Sequence, residues 1–249
     1  MFFLPILRRS TSSRLAAALV VTGLATALSG CSEMEAAVRD AVEGAATAQV
    51  EVGSPLPDAA SARTLLDALP QVERSPAAIP AYVRSEFGSA WADVDGNGCN
   101  QRDDVLLRDA DPGTAVVAPQ GRCDHDVLAG TWTDPYSGVV VELDDLKDRS
   151  QAQAVQIDHV VPLAEAWRSG AWAWDARTRR SYANSLDVLL ATDGPTNSSK
   201  SDGDPAAWRP KKAYQCSYAR RWIVVKDAWT LAVDDSERRA LEEMLGLCD

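Results

Sequence analysis

The chain has 249 residues, of which 46% are hydrophobic and 24% are charged, the balance of a globular protein long enough to build a sizeable core. Its formal net charge at pH 7 is −11. This charge disfavours nonspecific attraction to nucleic acid or to an anionic membrane surface, unless basic residues are concentrated locally.

The N-terminus has the pattern of an exported protein. Arginines at positions 8, 9 and 14 precede an apolar run at 15–28 and then small residues, which predicts a secretion signal over residues 1–30. The end of this segment, LSGC, resembles the lipobox of bacterial lipoproteins, in which cleavage leaves a lipidated Cys31. A transmembrane anchor and a conventional signal peptide are the alternatives, but the apolar run is shorter than the roughly 20 residues of a spanning helix. We expect a lipid-anchored protein on the extracellular face of the cell membrane, or a secreted one.

Export also bears on the cysteines. With Cys31 assigned to lipid, the other four form an even set that an oxidising compartment would pair into two disulfides. Sequence proximity favours Cys99 with Cys123 and Cys216 with Cys248, out of the three pairings that four cysteines allow. A zinc site is the competing interpretation, and no C-x-x-C spacing supports it.

Residues 31–61 are rich in alanine, acids and small residues and end in a Gly, Pro and Ser cluster, which predicts a flexible lipid-to-domain tether. The folded domain is expected over residues 62–249. It begins with two short helical patterns, ARTLLDALPQV and PAYVRSEFGSAW.

The next stretch, DVDGNGCNQRDD, matches the start of a calcium-binding loop. Asp93, Asp95 and Asn97 take positions 1, 3 and 5, and a glycine takes position 6. The match fails at position 12, where Asp104 replaces the bidentate glutamate, and no flanking helices are evident. The alternative is a tight turn that presents a cysteine to a disulfide and Arg102 to the core or to a cleft.

The rest of the chain mixes strands and helices. Two β-prone runs, near 126–132 and 138–143, surround an Asp-Pro-Tyr-Ser-Gly turn and predict a hairpin. An apolar run at 155–161 predicts a strand that carries Asp158 and His159. The remaining predicted elements are helices at 163–171 and 175–185, a short strand at 188–191, a helix start at Thr196-Asn197, and helices at 214–229 and 235–246. Ser236 is the predicted cap of the last helix. The tryptophans at 167, 172 and 174 are expected in the core. Without βαβ alternation, the predicted class is α+β.

His159, one of two histidines in the chain, directly follows Asp158. A phosphodiester hydrolase needs a base to activate water and a divalent cation to offset charge on the phosphate and the leaving oxygen. A histidine accepts a proton at neutral pH, and Asp158 and Asn197 offer hard oxygen ligands of the type that Mg²⁺ prefers. Adjacent side chains in a regular strand face opposite sides, so Asp158 and His159 can share a site only if the strand ends or twists before Pro162.

Five features in order carry a family resemblance: FGSAWADVDGNGCNQRDDVLLRD, GTWTDPYSG, IDHVVPLAEAW, NSSKSDGDPAAW and the cysteine positions. Over about residues 62–248, the chain resembles HNH endonucleases of the ββα-metal (His-Me finger) group, in particular secreted actinobacterial proteins related to the nuclease module of GmrSD-type enzymes. The resemblance implies a ββα-metal core with an N-terminal helical and hairpin elaboration and C-terminal helices. It also implies a metal-dependent endonuclease that uses Mg²⁺ or Mn²⁺.

By this resemblance, His159 is the general base, and Asp158 and Asn197 hold a single cation. The middle asparagine of many HNH sequences falls where this chain has Val188, so Asn184 is the nearest candidate to hold the loop that carries the base. If neither residue fills that role, the alternative is a catalytically inert HNH-like module that binds an anionic polymer or a partner protein in the envelope.

Basic residues are concentrated in one part of this acidic chain. Residues 205–226 contain six Lys or Arg, no acid, and several interleaved aromatics, which suits a nucleic-acid groove. An amphipathic helix with core aromatics and solvated cations is the alternative. The residues expected to contact substrate are Arg102, Arg209, Lys211, Lys212 and Arg220, with Lys200 near the phosphate. DNA is favoured over RNA as the nucleic acid, and no obligate protein partner is evident.

Overall fold

The computed structural model of the protein describes residues 55–72 and 79–248. The predicted secretion signal, the candidate lipidation residue Cys31 and most of the predicted tether lie outside the described residues. Within the described residues, no helix has the length and apolar character needed to cross a membrane.

Helices and strands mix along the chain, which confirms the α+β class. The helices are α1 (Ala59–Ala68), α2 (Gln101–Asp109), α3 (Arg149–Ala152), α4 (Leu163–Arg168), α5 (Ala176–Ala183), α6 (Gly194–Lys200), α7 (Lys212–Ala228) and α8 (Asp235–Leu245). Short 3₁₀ helices span Arg84–Phe87 and Ala171–Ala173. The strands are β1 (Val116–Gln120), β2 (Cys123–Thr133), β3 (Val140–Leu143), β4 (Val155–His159) and β5 (Leu189–Asp193).

In the described part of the chain, the strands form two antiparallel sheets. One has the order β1-β2-β3, and the other pairs β4 with β5, from Val155 opposite Asp193 to His159 opposite Leu189. β5 leads directly into α6, because the Asp193 side chain accepts a hydrogen bond from the backbone N–H of Thr196 and caps the helix. Two antiparallel strands and the helix after them therefore surround the residues singled out in the sequence.

Two apolar clusters hold these elements together. The larger one packs the helices around buried aromatic side chains such as Tyr182, Tyr218 and Trp222. The smaller one joins both sheets to α2, with Trp132 from β2 and Ile157 from β4 among its members. Burial of each large apolar side chain contributes about 1.5–3 kcal/mol to the free energy of unfolding. Because the smaller cluster takes such side chains from both sheets, it holds the two sheets together.

Both predicted disulfides are confirmed. Cys99–Cys123 joins the loop before α2 to the start of β2, and Cys216–Cys248 joins α7 to the C-terminal end of the chain. Closing chain segments of 24 and 32 residues stabilises the folded state by about 3–4 kcal/mol each in a chain-entropy account.

The predicted hairpin, the strand that carries Asp158 and His159, the strand after residue 188 and the C-terminal helices are confirmed to within a few residues. Three elements were not predicted: α2, β1 and α3. The expectation that no helix flanks the calcium-type loop is wrong, because α2 begins within the last four residues of that loop and continues beyond it. The cap of α8 is Asp234 rather than Ser236, and Trp172 is 41% exposed rather than part of the core.

Candidate active site

His159 ends β4 and is 8% exposed. Its Nε2 lies 2.9 Å from the carbonyl oxygen of Ala183. A carbonyl oxygen only accepts hydrogen bonds, so Nε2 carries the proton and Nδ1 carries the lone pair of the neutral ring. Burial lowers the pKa of His159 to about 3, and the positive charges of Arg84 and Lys200 also lower it. The ring is therefore neutral at pH 7, with Nδ1 available as a base.

Asp158 faces the side of β4 opposite to that of His159, because adjacent side chains in a regular strand alternate. Both of its carboxylate oxygens lie 3.0 Å from the Nζ of Lys200, and one accepts a 2.8 Å hydrogen bond from the hydroxyl of Tyr136. Burial raises the pKa of Asp158 and lowers that of Lys200, while each charge favours the ionised form of the other. The structure thus places the two neighbours, Asp158 and His159, in different surroundings.

The second expected ligand, Asn197, lies on α6 on the same side of the strand as Asp158. Its Nδ2 donates a 2.9 Å hydrogen bond to the Oε1 of Gln156, two residues before Asp158 on β4. Asn197 and Lys200 are three residues apart, so they share one face of the helix. No hydrogen bond among the described residues joins Asp158 to Asn197. Lys200 is the residue of α6 that contacts Asp158 in this arrangement.

Asn184 is fully buried, and both ends of its side chain amide are bound to backbone groups. Its Oδ1 accepts a 2.8 Å hydrogen bond from the N–H of Ala92, and its Nδ2 donates a 2.9 Å bond to the carbonyl of Arg180. Asn184 directly follows Ala183, the residue that holds His159. Its side chain therefore fixes the segment that hydrogen-bonds to His159, while Val188 is a buried core residue.

An open cavity of about 440 Å³ lies beside α6. It is lined by side chains from the hairpin turn, from α6 and from the segment before α7: Tyr136, Ser137, Pro195, Thr196, Ser199, Trp208, Arg209, Pro210 and Lys211. Two of the predicted substrate contacts, Arg209 and Lys211, are thus brought together with one of the interleaved aromatics.

Behind this cavity lies a pair of acids that the sequence interpretation missed. The hydroxyl of Ser137 contacts the carboxyl groups of both Asp134 and Asp193, which are buried. Burial raises the pKa of Asp134, and its hydrogen bond with Asp193 raises it further. Asp134 lies in the GTWTDPYSG block, and the Asp-Pro-Tyr-Ser-Gly turn in that block was the feature of the sequence that could have indicated it.

The other basic residues divide into two groups. Arg102 donates to the backbone carbonyls of Ala152 and Val155, at 3.2 and 3.1 Å, and so ties α2 to the start of β4. Arg220 donates to the carbonyls of residues 56 and 57. These two guanidinium groups bind the protein's own backbone, and their expected contacts with phosphate stay predictions. Lys212 is exposed at the start of α7.

Arg84 was not singled out in the sequence. It is an exposed residue of the first 3₁₀ helix, and its charge lies close enough to His159 to lower the pKa of that ring. An exposed guanidinium beside a neutral imidazole can hold an anion next to a base.

One group of metal-type ligands is present elsewhere in the described residues. Ligand atoms of Cys99, Cys123 and His125 lie within 4.8 Å of one another. The two sulfurs form a disulfide, however, so neither offers a thiolate to a metal while it is oxidised.

The sequence matches the family model described as GmrSD restriction endonucleases, C-terminal domain, over residues 102–244. It is also 38% identical, over 216 residues, to an uncharacterized secreted protein of Arthroderma benhamiae, a match that covers 85% of this chain and 97% of that protein. No solved structure matches the chain. The family match spans more than half of the chain and contains both strands of the second sheet and α6, so the chain belongs to the family of the GmrSD restriction endonuclease C-terminal domain.

Proposed function

We propose that the protein is an HNH-type endonuclease that hydrolyses phosphodiester bonds of nucleic acid outside the cytoplasm. The observation that carries the proposal is His159 at the end of β4, with Nε2 held by Ala183 and the lone pair of Nδ1 free of any hydrogen bond from the described residues. The nuclease family of the chain supports the reaction class. β4, β5 and α6 would form the ββα-metal core.

In the proposed reaction, Nδ1 of His159 takes a proton from water as the water oxygen bonds to phosphorus, and the bond from phosphorus to the leaving oxygen breaks. Arg84, exposed near His159, would bind a phosphate oxygen. Asn184 would act as a positioning residue through the neighbouring Ala183. The buried ammonium of Lys200 would place a positive charge next to Asp158, and this charge would stabilise the additional negative charge of the transition state.

Asp158 and Asn197 would hold one Mg²⁺ or Mn²⁺ ion, because carboxylate and amide oxygens are suitable donors for either ion. When bound, the ion supplies charge stabilisation to the phosphate and to the leaving oxygen. Asp158 would join such a site if Lys200 released at least one carboxylate oxygen, since both oxygens lie 3.0 Å from its Nζ. Because Asp158 and His159 face opposite sides of β4, the ion and the base would reach one phosphate only if the end of the strand twists. Asn197 needs no comparable change, because its described hydrogen bond uses only the Nδ2 end of the amide.

The cavity beside α6 would receive the nucleic acid, and DNA is the favoured polymer. Lys211 and Lys212 would contact phosphates, and Arg209 would do so after leaving Glu243 and the carbonyl of Pro205, which its guanidinium binds. The partly buried Trp208 would stack on a base. These local cations would overcome the repulsion expected from the acidic chain as a whole. The secreted relative supports an extracellular location, and attachment to the membrane through a lipid on Cys31 is part of the proposal.

A second candidate is a catalytically inert module that binds an anionic polymer or a partner protein in the envelope. The observation in its favour is the buried Asp158, whose two oxygens are already engaged by Lys200 and Tyr136. Val188 also favours the inert module, because many HNH sequences have an asparagine at that position.

The test is cleavage by the mature chain with oxidised cysteines. Plasmid DNA and structured RNA are incubated with Mg²⁺, Mn²⁺ or EDTA, beside His159→Gln and, as the matched control, His125→Gln. Metal-dependent cleavage that His159→Gln abolishes and His125→Gln retains supports the nuclease. Failure of the folded wild type to cleave either polymer with any metal overturns it in favour of the inert module.

A further inference from the structure

The loop from residue 93 to residue 104 takes no part in the proposed nuclease reaction. We propose that Asp93, Asp95, Asn97 and Asp104, together with the backbone carbonyl of Cys99, bind one Ca²⁺ ion. The ion would fasten this loop to α2 and thereby stabilise the frame of the domain.

The first half of the loop is wound around its own side-chain oxygens. Asp93 accepts hydrogen bonds from the N–H groups of Gly96 and Gly98, at 2.7 and 3.1 Å. Asp95 accepts from the N–H of Asn97 at 3.2 Å, and Asn97 accepts from the N–H of the next residue but one at 2.7 Å. This winding suits ligands at positions 1, 3 and 5 of a calcium loop.

Position 6 of such a loop requires a sharp turn, and Gly98 occupies it with a φ of +94°. A Cβ atom on this residue would lie 2.6 Å from the carbonyl oxygen of Arg122. Both the positive φ and this close approach exclude other residues. The Cys99–Cys123 disulfide then holds the following residue against β2.

Position 12 supplies the independent observation. Asp104 is 8% exposed, and its Oδ1 lies 2.9 Å from the Nδ2 of Asn97 and 2.7 Å from the Nε2 of His125. Its Oδ2 is buried and has no hydrogen-bond partner in the described part of the protein. A buried carboxylate oxygen without a partner is unfavourable even when the other oxygen is bound, and a cation in the loop would satisfy it.

α2 explains how an aspartate can serve where a longer glutamate is usual. The helix begins at Gln101, so its first turn carries Asp104 back to Asn97. Gln101, at position 9 of the loop, is fully buried, and neither atom of its amide has a partner among the described residues. In calcium loops, position 9 contributes an oxygen, often through water.

The chemistry of the loop favours Ca²⁺ over other cations. Three carboxylates, an amide oxygen and a carbonyl are five hard donor groups. A water at position 9 or a second oxygen from one carboxylate would bring them to the six to eight oxygens that Ca²⁺ takes. Mg²⁺ demands a near-ideal octahedron at about 2.0–2.1 Å, which a loop of mixed side-chain lengths does not favour. Extracellular modules of this kind bind Ca²⁺ at about 0.1–1 mM.

Binding would reach the candidate active site through α2. Arg102 on this helix holds the start of β4, and Arg108 donates to the carbonyls of Leu186 and Leu189 at the start of β5. An ion that fixes the loop and the first turn of α2 therefore stabilises the attachment of both strands.

The test is titration of the EDTA-treated mature chain with CaCl₂, followed by isothermal titration calorimetry and by the melting temperature. One site with a Kd of about 0.1–1 mM is expected. In 10 mM CaCl₂, the melting temperature should rise by about 4–8 °C, and MgCl₂ at the same concentration should raise it less. Tb³⁺ luminescence excited through Trp91, two residues before the loop, gives a second binding signal.

Asp104→Asn should weaken Ca²⁺ binding at least about tenfold, and Asp95→Asn, at an exposed position, does the same without disturbing a buried group. The control is Asp144→Asn, which removes an exposed carboxylate after β3 and should bind Ca²⁺ as the wild type does. Absence of saturable binding up to 10 mM, or unchanged affinity in Asp95→Asn, overturns the proposal. Both readouts are independent of cleavage, so this result and the nuclease result can differ.

Discussion

The Nζ of Lys200 lies 3.0 Å from both carboxylate oxygens of Asp158 and 2.9 Å from the carbonyl oxygen of His159. The lysine side chain is 0% exposed and that of the aspartate 5%. One buried ammonium thus joins α6 to the end of β4. Removing one partner of a buried pair leaves the other charge uncompensated, at a cost of about 3–5 kcal/mol.

Lys200→Met is therefore expected to lower the free energy of unfolding by about 3–5 kcal/mol in urea denaturation. Adding Asp158→Asn should recover part of this loss, because the uncompensated carboxylate is then absent. Lys212→Met, at an exposed lysine, is the control and should leave stability unchanged. Purely additive effects of the two changes at Lys200 and Asp158 would contradict the pairing.

The second prediction concerns the protonation of His159. Burial lowers its pKa to about 3, and a general base must be unprotonated. Activity should therefore not decline on account of His159 between pH 8 and pH 5, and should be lost only as the pH falls toward 3. Arg84→Ala removes a positive charge, so the pKa of His159 should rise. NMR titration of the imidazole signals of the two histidines measures both effects, and a midpoint near 6.5 for His159 in the wild type contradicts the assignment.

A third prediction concerns Glu237, which shares one ammonium with Glu165. The Nζ of Lys226 lies 2.6 Å from Glu237 and 3.1 Å from Glu165, and all three side chains are buried. Burial raises the pKa of Glu237 from 4.5 to about 7, against the opposing charge of Lys226. The folded state therefore binds a proton more tightly than the unfolded state. Its contribution to stability is complete below pH 4.5 and is lost as the pH rises through about 7.

The loss amounts to about 3 kcal/mol between pH 4.5 and pH 8, an order-of-magnitude figure from the pKa difference. Glu237→Gln should remove this part of the pH dependence of the unfolding free energy. Glu242→Gln, an exposed position on the same helix, should retain it. Identical pH dependence in the two variants would show that Glu237 titrates normally.

The sequence predicted β4 and β5 well because both are apolar runs between clear breaks, and it predicted the disulfides from cysteine spacing. It missed α2 because QRDDVLLRD is mostly polar, with apolar residues only at three consecutive positions. That helix is stabilised by its Asn100 cap and by arginines that bind strand carbonyls far along the chain. Such partners cannot be read from local pattern.

Distant partners also explain why the sequence indicated the residues of the candidate site but not their contacts. The residue types of His159, Asp158 and Asn197 are evident in the sequence, but the surroundings of each depend on tertiary packing. Lys200 reaches Asp158 from 42 positions away, and Asn184 is committed to backbone groups of residues 92 and 180. The sequence shows where the lysines and arginines are, but it does not show which group each of them binds.

The two groups of basic residues give the last prediction. Lys211 lines the open cavity beside α6, whereas Arg220 donates to backbone carbonyls near the start of the described chain. Lys211→Met should weaken binding of a labelled DNA duplex several-fold at low salt and reduce the slope of log K against log[NaCl] by about 0.9, the value for one phosphate contact. Fluorescence anisotropy in EDTA measures binding without cleavage.

Arg220→Met should leave that slope unchanged and instead lower the free energy of unfolding by about 1–3 kcal/mol, because two partly buried carbonyl groups lose their charged donor. If Arg220→Met reduces the salt slope as much as Lys211→Met, its guanidinium reaches the nucleic acid, and the groove extends along α7 beyond the cavity. If neither variant alters the slope, the cavity does not bind the polymer.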